Sequence, residues 1–131
     1  MPIPSTIRDR VRREIEQELS DWIPRIVAEM RPERVILFGS AARGEAGEAS
    51  DIDLTVIAES ELDFFDRIGR ILRLYRGDRE INVLVYTPDE WQRMLAEGRR
   101  FIKRMADEGR VLYERDAHGS DGAGGSAEEG E

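Results

Sequence analysis

Apolar residues recur at every fourth position through STIRDRVRREIEQEL, residues 5–19, where Ile7, Val11, Ile15 and Leu19 alternate with charged neighbours. This spacing predicts an amphipathic helix capped by Ser5 or Thr6. Ile23, Ile26, Val27 and Met30 form a second apolar face and predict a second helix over 21–30. Ser20 or Asp21 would cap it, Pro24 would fall in its first turn, and Pro32 lies beyond its end. The period then shortens. RVILF (34–38) is a compact apolar run, as a buried strand requires. DIDLTVI (51–57) alternates before becoming apolar, and EINVLVY (80–86) and RVLYE (110–114) are rich in β-formers, so all three read as strands. Residues 60–76 predict a helix with Leu62, Phe65, Ile68, Ile71, Leu72 and Tyr75 inward, followed by a turn at Gly77–Asp78. Thr87 caps a further helix, with Pro88 at its first position and Glu90 completing a capping box. That helix should reach about residue 96, and another should span 99–107.

The resulting order gives an α/β (α+β) layer fold, a small mixed β-sheet with helices packed on it. The 131 residues suit one core. The organisation expected is an N-terminal helix over 1–19, a domain over 20–115 and a disordered tail over 116–131. From His118 onward the chain is Gly, Ser, Ala and acid with no large apolar residue, too little to offset ordering entropy. His118, the single histidine, falls in this tail, away from fixed ligands.

The net charge of −8 is uneven: residues 114–131 hold six carboxylates against Arg115 alone, a net of −5, which leaves −3 for residues 1–113. No broad basic stripe for duplex nucleic acid is present, so nucleic acid is not an expected partner. The absence of cysteine excludes disulfides, thiolate metal sites and thiol nucleophiles. Charged residues interrupt the N-terminus where a signal peptide would need an apolar core, and no apolar run is long enough for a bilayer. A cytoplasmic location is expected.

The chemistry concentrates in FGSAARGEAGEASDIDLTVI, residues 38–57, where one helical turn is expected around 41–45. Asp51 and Asp53 are two apart on a strand and therefore share a face, about 6.5–7 Å apart at the backbone. Converging carboxylates repel unless a positive charge lies between them, and Mg²⁺ is the natural partner because it takes oxygen ligands and leaves room for phosphates. Ile52 and Leu54 point into the core and anchor the pair. Upstream, Gly39 permits close backbone approach, Ser40 adds a hydroxyl, and Arg43 offers a planar cation, a combination suited to phosphate. The plainer alternative is a solvated strand end and an ordinary turn. A P-loop is excluded because no Gly-Lys-Ser/Thr follows a glycine-rich loop, and an EF-hand is excluded by spacing. The chain is short for a sugar-nucleotide transferase of the Asp-x-Asp kind.

Taken together, LFGSAARG followed by SDIDL strongly resembles the signature of the DNA polymerase beta-like nucleotidyltransferase superfamily. It is most similar to the minimal nucleotidyltransferases, the MNT group often paired with HEPN-domain toxins, over roughly residues 20–114. The resemblance implies a nucleotidyltransferase-like fold. It implies that Gly39 and Ser40 bind the triphosphate of a nucleoside triphosphate, ATP by preference, and that Arg43 assists the phosphates or shapes the loop. Ser50 is placed with these nucleotide-binding residues, its alternative role being a local hydrogen bond that fixes the strand start. Asp51 and Asp53 would bind one or two Mg²⁺, and a nucleoside monophosphate would pass to a hydroxyl while pyrophosphate leaves.

One position departs from the family pattern. A third carboxylate usually sits on a neighbouring strand, and the matching residue in EINVLVYTPDEW is Asn82, which could not act as a base. Glu80, two residues earlier, would substitute only through a register shift. Three functions therefore compete. One is AMP transfer to a protein or small-molecule hydroxyl. The second is a catalytically weakened nucleotide-binding module serving as an antitoxin-like partner of a HEPN-domain protein, and the third is modification of a nucleic-acid end. Arg99, Arg100, Lys103 and Arg104 form either a solvated face or a basic rim for the triphosphate. Trp22 and Trp91 read as core or interface anchors. An open edge of so small a fold could pair with a second copy, a homo-oligomer.

Overall fold

The computed structural model describes residues 3–115, with side chains from residue 7. The tail expected over 116–131, with His118, lies outside the described residues. The elements run α1 (Ile3–Met30), β1 (Arg34–Phe38), α2 (Gly39–Ala42), β2 (Ile52–Ile57), α3 (Phe64–Leu72), β3 (Ile81–Tyr86), α4 (Pro88–Ala96), α5 (Arg100–Glu108) and β4 (Arg110–Glu114). The four strands form one mixed sheet in the order β3-β2-β1-β4. β1 is antiparallel to both β2 and β4, whereas β2 and β3 are parallel and are joined through α3.

The two faces of the sheet carry separate cores. Val35, Leu37, Ile52, Leu54, Val56, Val83 and Val85 pack on one side with Val11, Ile15, Leu19, Trp22 and Ile26 of α1 and Ile71 of α3. Ile36 and Ile57 pack on the other with Trp91, Ile102 and Met105 from α4 and α5. Thr55, buried on this second side, donates its hydroxyl to Met105 Sδ at 2.7 Å. The parallel pair β2–β3 thus lies between layers, and the Ile52 and Leu54 side chains are fully buried, as the strand alternation required.

Three expectations are corrected. The two N-terminal helices are one, because Pro24 lies inside α1 rather than in a first turn. Proline removes one backbone donor, which normally weakens a helix interior. Here Val11, Ile15, Leu19, Trp22 and Ile26 form a single stripe buried against the sheet across the proline. Trp22 adds a hydrogen bond from Nε1 to the Ile71 carbonyl at 3.1 Å and a ring contact with Tyr75 at 4.8 Å. Ile7, at the start of the stripe, is exposed. The third helix begins at Phe64, capped by the Asp63 side chain, not at 60. Ile71 is buried as expected and Arg67 is buried with it, whereas Phe65 is 79% exposed and Leu72 is exposed too. Finally, the helical turn expected around 41–45 begins directly at Gly39.

Candidate functional site

Asp53 is the second residue of β2, and Asp51 precedes the strand by one position. Their carboxylates meet at one point: Asn82 Nδ2 donates to Asp51 Oδ2 at 3.1 Å and to Asp53 Oδ1 at 2.8 Å. The parallel register sets Asp53 against Asn82 and Ile52 against Ile81 with no slip. Glu80 stays outside the pair, its carbonyl accepting the Ile52 N–H at 3.0 Å. Asn82, not Glu80, is therefore the β3 side chain brought to the two carboxylates.

On the opposite side, β1 delivers Gly39. Phe38 pairs with Asp53 across the antiparallel ladder, and Gly39 follows with φ +75°. A methyl group on Gly39 would fall well inside contact distance of Asp53 Oδ2. The glycine is thus needed twice, for a left-handed backbone and for space beside a carboxylate. Ser40 follows in the four-residue α2, whose first-turn amides have no intrahelical acceptors.

Arg43 closes α2, but its Nε bonds Glu45 Oε1 at 3.0 Å in an exposed pair. Its side chain borders a recess of about 130 Å³ shared with Phe38, Gly39, Phe101 and Arg104. Ser50 accepts the Gly47 N–H on its hydroxyl at 2.8 Å, the local bond that shapes the approach to Asp51. Of the basic residues on α5, Arg104 alone borders this recess. Arg99 instead pairs with Glu97 at 2.9 Å.

Asp53 and Asn82 open onto a cleft of about 480 Å³ that is also lined by Phe38, Gly39, Leu72 and Phe101, among others. Phe101 stands edge-on to Phe38 with centroids 6.0 Å apart and is 53% exposed. One end of the cleft is thus polar and anionic, and its walls are apolar and aromatic, the usual composition of a small-ligand site.

Among the described residues, no group of three or more His, Cys, Asp or Glu is placed to hold a metal ion. The donor set at Asp51 and Asp53 still fits Mg²⁺, which commonly takes one or two carboxylates and completes its shell with water and substrate phosphates. The convergence of both carboxylates on one nitrogen is the observation that supports this fit.

Two arginines escaped sequence reasoning. Arg67, inside α3, bonds Glu90 at 2.8 and 3.3 Å and the carbonyls of Leu62 and Val85. Arg79, in the bend before β3, bonds the carbonyls of Gly47, Glu48 and Ser50. Neither left a signal in the apolar pattern, because each acts by reaching backbone oxygen.

Comparison with known proteins bears on the family and the fold. The polymerase beta nucleotidyltransferase family matches residues 21–118. A protein of Methanocaldococcus jannaschii named "Putative protein adenylyltransferase" is 34% identical over 83 residues, covering 63% of this chain and 80% of that one. The crystal structure of a "putative nucleotidyltransferase" from Sulfolobus solfataricus superposes with a TM-score of 0.62 at 20% identity, covering 84% of this chain and 89% of that chain. At that identity the likeness is one of fold. Among the described residues, no helix is long and apolar enough to cross a membrane.

Proposed function

The chain belongs to the polymerase beta nucleotidyltransferase family, and on that premise we propose that it binds Mg²⁺ with a nucleoside triphosphate, ATP by preference, and transfers AMP to a protein or small-molecule hydroxyl. The convergence of Asp51 and Asp53 on a single point beside Gly39 carries this reading. The similarity to a protein named as an adenylyltransferase supports AMP as the group transferred. A cytoplasmic setting, where nucleoside triphosphates are abundant, suits it.

When bound, Mg²⁺ would neutralise charge on the reacting phosphoryl group and orient it. Asp51 and Asp53 would hold the ion, rigidly because Ile52 and Leu54 lock the strand into the core. Gly39 lets the backbone approach the phosphates, and Ser40 offers a hydroxyl and first-turn amides. Arg43, once released from Glu45, would add a cation beside them. Ser50 acts on the strand start through Gly47. The apolar wall of Phe38 and Phe101 would shield the reacting centre from water.

Asn82 occupies the position where a third carboxylate would serve the attacking hydroxyl as base. Its amide oxygen could ligate but not take a proton. This observation favours a second reading, a nucleotide-binding module with weak turnover that acts as an antitoxin-like partner of a HEPN-domain protein, in the manner of the MNT group. The exposed Phe65 on α3 would suit a protein contact of that kind.

The test is calorimetry of the four nucleoside triphosphates with and without Mg²⁺, followed by incubation of α-labelled ATP with hydroxyl acceptors. Mg²⁺-dependent ATP binding lost in Asp53→Ala, with label transferred, is the expected result. Binding without transfer would favour the second reading, and no binding at millimolar nucleotide would remove both.

A further inference from the structure

Asp51 is the less anchored of the two carboxylates, because it stands one residue before β2 at the end of the loop 47–50. That loop carries no large side chain into the core: Gly47, Glu48, Ala49 and Ser50 precede it. Its position is fixed instead from the far side of the sheet. Arg79 Nη1 donates to the carbonyls of Gly47 at 3.4 Å, Glu48 at 3.1 Å and Ser50 at 3.2 Å. Its Nη2 bonds Glu14 Oε1 of α1 at 3.1 Å, and the Arg79 side chain is only 11% exposed.

The arginine is itself held. Its backbone N–H donates to the Tyr75 hydroxyl at 2.9 Å, which donates in turn to Glu18 Oε1. Gly77 passes so close to the Tyr75 hydroxyl and Glu18 that a Cβ there would have to displace them. Arg10 of α1 bonds both Glu14 and Glu48, which ties the same loop to the same helix. Two further bonds complete the frame, Ser50 N–H to the Gly47 carbonyl at 3.1 Å and Ile52 N–H to the Glu80 carbonyl at 3.0 Å. Three carbonyls converging on one guanidinium nitrogen, against a helix that is locked into the core, is a built support for one loop. What that loop delivers is the Asp51 carboxylate.

We propose that Arg79 is a positioning residue for Asp51, fixing the loop 47–50 so that the carboxylate meets Asp53 at the metal position. The inference rests on the Mg²⁺-nucleotide reading above. Groups that orient a metal ligand typically change metal affinity by about 10–100-fold when removed, and a loop held through three carbonyls should fall in that range.

The experiment compares wild type, Arg79→Ala and Arg79→Lys by two readouts. One is Mn²⁺ binding followed by electron paramagnetic resonance, with and without ATP. The other is amide hydrogen exchange over residues 47–52. A lysine reaches fewer of the three carbonyls, so it should give an intermediate effect, and it carries the test if the alanine variant fails to fold. The expected result is Mn²⁺ affinity about tenfold weaker in Arg79→Ala, faster exchange over 47–52, and no further loss when Arg79→Ala is placed in an Asp51→Asn background. Unchanged exchange and affinity in both variants would overturn the proposal, as would an undiminished effect in the Asp51→Asn background. Absence of Mn²⁺ and ATP binding in the wild type would overturn the nucleotide reading itself, and this proposal with it.

Discussion

Asn82 and Asp53 are neighbours twice over: they are register partners in the parallel pair β2–β3, and the Asn82 amide nitrogen lies 2.8 Å from Asp53 Oδ1. The same nitrogen reaches Asp51. A neutral donor thus stands between two carboxylates where a cation would otherwise be needed. Asn82→Asp removes both hydrogen bonds and adds a third negative charge. The metal-free variant should lose about 1–2 kcal/mol, since a hydrogen bond to a charged group is worth roughly 1.5–3 kcal/mol but Asn82 is exposed and water screens the site. Crowding raises the new carboxyl's folded pKa above its unfolded value, so the loss should appear as pH rises through the carboxylate range and shrink below it. Mg²⁺ should restore the melting temperature, and transfer from α-labelled ATP should rise at least about tenfold if position 82 supplies the missing base. An Asn82→Asp variant with unchanged transfer, beside an inactive Asp53→Ala, would refute the role given to this position.

Gly39→Ala separates backbone strain from damage to the site. Gly39 and Gly44 both have left-handed φ, +75° and +73°, yet a methyl group on Gly39 collides with Asp53 Oδ2 while one on Gly44 meets nothing within 4 Å. Each substitution should cost about 1–2 kcal/mol for the backbone conformation. Gly39→Ala should in addition displace Asp53 and weaken Mg²⁺-ATP binding by at least about tenfold, whereas Gly44→Ala should leave it unchanged. Urea melts and calorimetry on the two variants check the contrast.

The strands were legible because their patterns are local: RVILF, DIDLTVI, EINVLVY and RVLYE each carry their own burial code, and Ile52 and Leu54 are buried as alternation demands. The capping box at Thr87 and Glu90 was equally local, and both of its bonds are present. The placement of Asn82 beside Asp53 was expected only through the family resemblance, and it follows from the parallel register. What sequence did not reveal depends on distant partners. The continuity of α1 through Pro24 is decided by the sheet and by the Ile71 carbonyl, which accepts from Trp22. Apolar counting put Phe65 on the inward face of α3, whereas Phe65 is exposed and Arg67 is buried, because Arg67 reaches the Leu62 and Val85 carbonyls and Glu90. Arg79 acts on backbone carbonyls some thirty residues away, which no side-chain pattern encodes.

Tyr75 should titrate above the ordinary tyrosine range. Burial, reinforced by its hydrogen bond to Glu18, pushes its hydroxyl up to about 12 from an ordinary 10.0. A raised folded pKa contributes stability that is complete below the unfolded value and is lost as pH climbs through the folded one. The chain should therefore weaken between about pH 10 and 12. Tyr75→Phe should remove that part of the alkaline loss and the corresponding phenolate absorbance step. It should also speed amide exchange at Arg79, whose N–H loses its acceptor.

Arg67 and Glu90 clamp α3 to the start of α4, with the guanidinium also bonded to the Leu62 and Val85 carbonyls. The Arg67 hydrogen bond, aided by the Thr87 amide, holds the Glu90 carboxyl below the usual glutamate range. A depressed folded pKa contributes stability above the unfolded value of 4.5 and loses it as pH falls through the folded one. Denaturant midpoints should therefore decline at acid pH, and Glu90→Gln should flatten that decline while costing about 1–3 kcal/mol at neutral pH. The cost stays below that of a fully buried pair because the Glu90 side chain is 34% exposed and can rehydrate. Arg67→Met should cost more than Glu90→Gln, since it strips donors from two backbone carbonyls as well. Because the clamp meets β3 at Val85, away from Asn82, Mg²⁺-ATP affinity should remain unchanged in Glu90→Gln. Loss of affinity there would show that the frame and the site are coupled through β3.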